Sequence, residues 1–477
     1  MRTRPILAIT LAILAACSDP PADTPNAPPT TSAATSASGE ASMPSDSPSP
    51  TSSATSSAAA TPTQEEIAGL EFVDLLRQNR YAEARRDFDK TMSSALDDVK
   101  LEATWKGLGA QAGALQKVVG AKSDKQGPYT IVAVSCAFEN AKIDVKLAFD
   151  TEHHIAGLFF IPTPEAYAPP SYTDPSAIEE SEITIGDDPW KLPGTLTLPK
   201  GKTGVPAVIL VHGSGPGDRD ESIGPNRPFA DLAGGLATKG IAVLRFEKRT
   251  KVYGAKIDLS TFTAEDESVT DAIAALHLLE SNPRIDPKRI WVAGHSLGGF
   301  LAPRIAAKAP DVHGLVLLAG STRDLFDMMI EQLEYLAKLD GKVEASETAM
   351  IADTKRTKAR VAELLKGAPA KAGETLMGAG PAYFIDLAKY DALATIAKVD
   401  RPVFVAQGGR DYQVTQVDFD RWKRALAGRK NAELHLYPKL NHLLAAGEDK
   451  SAPEEYQRRT PVDEALVADL AAFLASH

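Results

Sequence analysis

The alternation of apolar and polar positions gives the chain three textures. Residues 6–16 are an apolar stretch, interrupted only by Thr10, behind Arg2 and Arg4, and residues 19–63 are almost wholly Pro, Ser, Thr and Ala with scattered acids. From residue 64 onward apolar side chains recur at helix and strand periods. In 64–165 the spacing of Ile67, Leu70, Phe72, Val73, Leu75 and Leu76 predicts an amphipathic first helix, which 81–88 continues beyond the Asn79-Arg80 break. Leu101, Trp105 and Leu108 predict another over 100–110. Four strand-like runs follow at 115–121, 129–138, 141–149 and 155–161, with turns at 139–140 and 150–153. Helices segregated from an antiparallel sheet make a small α+β domain.

The pattern changes again near residue 178. Strand-like runs at 181–185, 194–198, 207–211, 241–246, 290–293, 315–319, 403–407 and 432–437 alternate with helical stretches. From the third onward several are continuously apolar, as strands buried on both faces are. The expectation for 178–477 is an α/β domain built on an eight-stranded, mostly parallel sheet. Residues 324–398, between the sixth and seventh strands, are helical in pattern and carry Met328, Met329 and Met350. With Met377 these suit either an adaptable pocket or ordinary core.

Composition narrows the function classes. A hydrophobic fraction of 43% over 477 residues allows two or three globular domains. The net charge of −11, with no basic block and no aromatic–basic interleaving, argues against nucleic acid as a partner and against an electrostatic grip on anionic lipid. The apolar run 6–16 is too short to span a bilayer and has the form of a signal-peptide core. Residues 19–63 cannot bury enough surface to offset chain entropy and are expected to form a disordered tether. At their junction, Leu14-Ala15-Ala16-Cys17 resembles a bacterial lipobox. That resemblance implies a signal peptide over 1–16, acylation of Cys17, and a tethered linker over 17–63. Ser18, rather than Asp, implies sorting to the outer membrane of the cell envelope. An ordinary cleaved signal peptide is the alternative. The other cysteine, Cys136, lies in a strand-like run and reads as a buried structural thiol. His153 and His154 share a turn without a spaced third ligand and read as exposed, so no metal and no organic cofactor is called for.

The chemistry centres on Gly294-His295-Ser296-Leu297-Gly298, which follows the apolar run 289–293 and precedes the helix-compatible stretch 300–309. A strand, a sharp turn and a helix force the central serine to strained backbone angles with its hydroxyl exposed, and the flanking glycines avoid collision with neighbouring elements. This context, with the serine turn following the fifth strand, resembles the nucleophile elbow of the α/β-hydrolase superfamily, over about 181–476. The nearest likeness is to its dienelactone-hydrolase-like and acyl-esterase branches. Further pieces that carry it are His212-Gly213-Ser214-Gly215-Pro216, Leu244-Arg245-Phe246-Glu247-Lys248-Arg249-Thr250 and Leu440-Asn441-His442-Leu443. Dienelactone hydrolases proper use cysteine where this chain has serine, so their lactone activity is not carried over.

The resemblance implies the order serine, acid, histidine. His442, in the loop after the last strand, is the expected general base; His435 lies inside that strand and His477 is terminal. Asp411 directly follows a strand end and is the expected acid, with Asp391 its rival and Asp418 and Asp420 on the helix beyond. The serine hydroxyl is a poor nucleophile until a base takes its proton, and the acid holds the imidazole in the useful tautomer. The oxyanion donors implied are the backbone N–H of Leu297 and that of Ser214, with Gly215 the alternative. His212 reads as a hydrogen-bonder of its loop. Asp218, Arg219, Asp220, Lys248 and Arg249 read as loop-bracing ion pairs rather than a substrate anchor. The insertion at 324–398 stands where this fold carries its lid, which would set acyl-chain length. The function implied is hydrolysis of a small-molecule carboxylic ester. An amidase, peptidase or acyltransferase with the same triad, or a noncatalytic surface-binding lipoprotein, remains open. Residues 64–165 resemble a small cystatin-like domain of unknown function that precedes secreted hydrolases, through Ala156-Gly157-Leu158-Phe159-Phe160.

Overall fold

The computed structural model describes residues 62–126, 128–163, 167–339 and 341–477, in two compact units on either side of residue 165. The signal-peptide run, Cys17 and the linker through residue 61 lie outside the described residues.

The first unit opens with helices α1 (Gln64–Arg77), α2 (Tyr81–Ala84), α3 (Lys90–Ala95) and α4 (Asp98–Ala112). Strands β1 (Leu115–Gln126), β2 (Tyr129–Phe138), β3 (Lys142–Phe149) and β4 (Ile155–Pro162) follow as an antiparallel sheet in sequence order. Thr63 and Glu66 close a reciprocal capping box at the start of α1, satisfying two otherwise orphaned N–H groups. The helix lies close on the sheet because Gly69 has no side chain: a Cβ there would stand 2.9 Å from Val132 Cγ1. Its buried face is Phe72, Val73, Leu75 and Leu76, while Ile67 is exposed, contrary to the apolar face read from the sequence. The expected helix over 81–88 stops at Ala84. Backbone pairing of Asp87 and Phe88 with Ile155 takes over those residues, and α3 is an element the sequence did not suggest. Cys136 is buried in this core, and burial pushes its thiol up to about 12.

The second unit holds β5 (Ile178–Ile185), β6 (Leu192–Pro199), β7 (Val205–Val211), β8 (Ala242–Phe246), β9 (Ile285–His295), β10 (Gly314–Leu318), β11 (Val403–Gly408) and β12 (Ala432–Tyr437). They form one sheet in the order β12-β11-β10-β9-β7-β8-β6-β5, parallel from β12 to β8 and antiparallel at the β8–β6 and β6–β5 pairings. Helices α5 (Pro228–Thr238), α6 (Arg249–Tyr253), α7 (Thr270–Glu280) and α8 (Leu297–Lys308) interleave with the strands. The insertion after β10 supplies α9 (Leu325–Leu339), α10 (Ala345–Leu365), α11 (Pro381–Lys389) and α12 (Ala392–Ile396); α13 (Gln416–Ala425) and α14 (Glu464–Ser476) complete the unit.

Every residue of β7, β8, β10 and β11 is buried, and alternate side chains feed separate cores on the two faces. Ala207, Ile209 and Val211 enter one core, Val208 and Leu210 the other. Residues 167–177, outside the expected 178–477 boundary, also belong to this unit: the Tyr172 hydroxyl donates to Val462 O at 2.8 Å and Tyr167 to Asp231 at 3.0 Å. The strand order reverses at β7, which has β8 on one side and β9 on the other. Open α/β sheets place their sites at the carboxyl ends of strands flanking such a reversal.

Candidate active site

Ser296 sits in the one-residue gap between β9 and α8 with φ 53° and ψ −113°. This region is unfavourable for a residue with a Cβ and persists only where surroundings impose it. The imposing contacts are visible. A Cβ on Gly298 would meet Val211 O at 2.2 Å, and one on Gly294 would meet Gly298 O at 2.1 Å, so helix and strand approach as only glycine permits. Ser296 N–H donates to Leu318 O at 2.9 Å, tying the turn to the neighbouring strand.

His442 lies in the loop after β12, and its Nδ1 is 2.8 Å from Asp411 Oδ2, in the loop after β11. The carboxylate is fully enclosed and the imidazole nearly so. Asp411 Oδ1 accepts from the backbone N–H of Gln413 (2.8 Å) and Val414 (3.0 Å), and Oδ2 also accepts from Gln407 Nε2 (3.1 Å). A carboxylate so placed takes the Nδ1–H of the ring and leaves Nε2 free to accept a proton. The base loop is braced by Asn441, whose Oδ1 accepts from Leu443 N (3.0 Å) and Ala445 N (3.2 Å). The rival acid Asp391 caps α12, accepting from Ala394 N at 2.9 Å. Asp418 is consumed by Arg323 and Thr322.

The turn that holds Ser296 and the loop that holds His442 meet through His295, whose Nε2 is 2.9 Å from His442 O and whose ring centroid is 4.7 Å from that of His442. The loop after β7 abuts the serine from the other side: a Cβ on Gly213 would stand 3.2 Å from Ser296 Cβ. Gly213 N–H is engaged by Glu221 Oε1 at 2.6 Å and so is not available to a bound ligand. His212 Nε2 donates to Asp218 O at 2.8 Å; burial holds that ring below the usual histidine range, as suits a neutral structural donor.

Four of the five charged residues pair with partners outside the two clusters: Arg219 with Glu182 and Glu247, Asp220 with Arg245, Lys248 with Glu267, Arg249 with Asp271. Asp218 instead braces its own loop, accepting from Asp220 N and Ser222 N. Burial raises the Asp271 carboxyl to about 6 despite its arginine partner. Glu221 and His295, both buried here, had not been singled out as candidates. Glu221 ends the charged run Asp218-Arg219-Asp220-Glu221, which has the look of a solvated loop. The signal that could have marked it is its place just beyond the glycine-rich loop after β7.

A cavity of about 270 Å³ is lined by Leu297, Phe300, Phe326, Met328, Phe384 and Leu387, with Arg323 and Arg421 among its polar groups. Of the four methionines, Met328 borders it and Met329 packs in the core. Among the described residues no group of three His, Cys, Asp or Glu side chains is arranged to hold a metal ion.

Residues 208–458 match the alpha/beta hydrolase family, and residues 70–158 match the family described as Protein of unknown function (DUF3887). Over 405 residues the chain is 37% identical to esterase EstD of Thermotoga maritima, an alignment covering 84% of this chain and 93% of that protein. Similar solved structures include the Pyrococcus furiosus esterase Pf2001, 19% identical over 66% of this chain and 96% of that one, TM-score 0.41. Another is Est1E from Butyrivibrio proteoclasticus, 20% identical over 62% of this chain and 99% of that one, TM-score 0.39. With a strained serine at a strand–helix turn, a buried aspartate–histidine pair in the loops after β11 and β12, and a family match across more than half its length, the chain belongs to the alpha/beta hydrolase family.

Proposed function

We propose that the protein is a serine esterase that cleaves small-molecule carboxylic esters through an acyl-enzyme. The observation that carries this reading is the enclosed Asp411–His442 pair at 2.8 Å, joined by His295 to the turn that holds Ser296. Likeness to an esterase over most of both chains supports the substrate class. His442 Nε2 takes the Ser296 proton as the oxygen attacks the ester carbonyl, and Asp411 stabilises the imidazolium that forms. The tetrahedral oxyanion is held by the N–H groups of Leu297 and Ser214, each worth about 3 kcal/mol of barrier. Collapse expels the alcohol, which takes the proton from His442, and water repeats the sequence to release the acid. The acyl chain is assigned to the apolar side of the cavity between α9 and α11, formed by Phe326, Met328, Phe384 and Leu387, which is bordered by Leu297.

The test is a panel of p-nitrophenyl esters of graded acyl length with Ser296→Ala as control. Activity on the panel that is lost in the variant supports the reading, and activity that survives in it refutes the mechanism. Cleavage confined to peptide amides would move the enzyme to the peptidases.

We further propose that Cys17 is acylated after cleavage at residue 16, which anchors the enzyme to the outer membrane of a bacterial envelope. Release of the Cys17→Ser protein into the soluble fraction, with loss of a lipid-modified amino-terminal peptide by mass, is the expected result.

A further inference from the structure

Gly213 is held at both of its backbone polar groups by buried charges. Its N–H donates to Glu221 Oε1 at 2.6 Å, and its carbonyl accepts from Lys248 Nζ at 2.7 Å. Each charge has a buried partner. Glu221 Oε2 lies 2.9 Å from His295 Nδ1, an ion contact in which the N–H is not aligned well enough for a hydrogen bond. Lys248 Nζ lies 3.3 Å from Glu267 Oε2, which also accepts from the Tyr383 hydroxyl of α11 at 2.7 Å.

The protonation of His295 follows from its neighbours. Nε2 faces the carbonyl oxygen of His442 and Nδ1 faces a carboxylate oxygen. The carbonyl has no proton to give, so Nε2 carries one; with Glu221 ionised, Nδ1 carries the other and the ring is an imidazolium. Burial opposes that charge, and the Glu221 carboxylate outweighs it, holding His295 above the usual histidine range. Glu221 itself has φ 51°, a backbone conformation that a side-chain-bearing residue keeps only where its surroundings fix it.

We propose that Glu221 and His295 are positioning residues for the ester-cleaving reaction: a buried carboxylate–imidazolium pair that locks the oxyanion loop at Gly213, the nucleophile one residue beyond His295, and the base loop at the His442 carbonyl into one rigid unit. The pair touches no reacting atom. It acts through the groups that do, and all three of those groups change their interactions between ground state and transition state. Its removal therefore lowers kcat rather than raising KM. This proposal rests on the Ser296–His442–Asp411 reading.

The experiment compares wild type, Glu221→Gln and His295→Gln with a p-nitrophenyl ester and with a trifluoromethyl ketone, whose adduct with serine carries the oxyanion. We expect kcat to fall ten- to a hundredfold with KM within twofold, and ketone affinity to fall by the same factor as kcat. A role in stability alone would lower the melting temperature without that parallel loss. Because each single variant strands a buried charge, the double variant Glu221→Gln/His295→Gln, which strands none, carries the same readings where a single one does not fold. A folded variant with kcat within twofold of wild type overturns the proposal. So does a loss of kcat with unchanged ketone affinity, and so does failure of all three variants to fold, which would assign the pair to folding. Ser296→Ala, run in parallel, separates the two levels: if it abolishes turnover while the Glu221 variants are normal, the triad reading stands and the positioning role falls.

Discussion

Asp411 Oδ2 and His442 Nδ1 are 2.8 Å apart, and the same carboxylate is saturated by three further donors from Gln407, Gln413 and Val414. Its orientation is therefore set by its own loop rather than by the histidine. Asp411→Asn keeps the acceptor that Gln413 and Val414 use, gives up the Gln407 hydrogen bond, and presents an amide N–H to Nδ1, which moves the ring proton to Nε2 and disables the base. The expected result is a fall in kcat of roughly 10⁴ with little change in KM, measured on a p-nitrophenyl ester.

The nucleophile turn makes a steric prediction. Gly298→Ala places a methyl 2.2 Å from Val211 O and 2.7 Å from His212 O, both backbone atoms that cannot step aside. Destabilisation by more than about 4 kcal/mol is expected, read as a lost or strongly lowered thermal transition by circular dichroism. A variant that melts within a few degrees of wild type would mean that helix and strand can separate without cost.

Much of this arrangement was legible in the sequence. The buried strands are continuous apolar runs, and the expected strands lie within about two residues of those found, apart from β9, which begins at Ile285, β5, which begins at Ile178, and β1, which runs on to Gln126. The partners His442 and Asp411, 2.8 Å apart, were legible from their places just past the last strand and at a strand end. What local pattern could not reveal was which polar residues are enclosed. Glu221 reads as one more charge in an acidic loop until the loop folds over Gly213, and His295 occupies the variable position of its pentapeptide. Likewise 81–88 has helical spacing, and pairing with Ile155, far along the chain, overrides it at Phe88.

The Glu221–His295 pair also sets a pH window for stability. His295 is held above its ordinary 6.5, so its contribution is complete below that pH and is lost as pH rises through the higher folded value. Glu221 is held below its ordinary 4.5: burial opposes its charge, but His295 and the Gly213 N–H outweigh it. Its contribution is complete above 4.5 and is lost as pH falls through the lower folded value. Asp411 adds to the field at His295, whereas Lys248 faces His212. The melting-temperature difference between wild type and the double variant should therefore be greatest between about pH 4.5 and 6.5 and should shrink on both sides. A difference that grows steadily toward pH 9 would contradict the protonation assigned to His295.

The lid cavity makes the substrate prediction. Phe384 is buried and lines it together with Phe326, with ring centroids 5.3 Å apart. Phe384→Ala enlarges the apolar space at a stability cost of about 3–5 kcal/mol. The kcat/KM optimum on the graded ester panel should move to longer acyl chains. An unshifted optimum in the folded variant would place the acyl group elsewhere.

The central claim is that Ser296 is the atom donor for the acyl-enzyme, activated by His442. Its most direct test is labelling of the intact protein with a fluorophosphonate, followed by mass mapping of the modified peptide. A single adduct on Ser296, absent in Ser296→Ala and much slower to form in His442→Ala, is the predicted result. An adduct on any other residue, or one formed at the wild-type rate without His442, would contradict it.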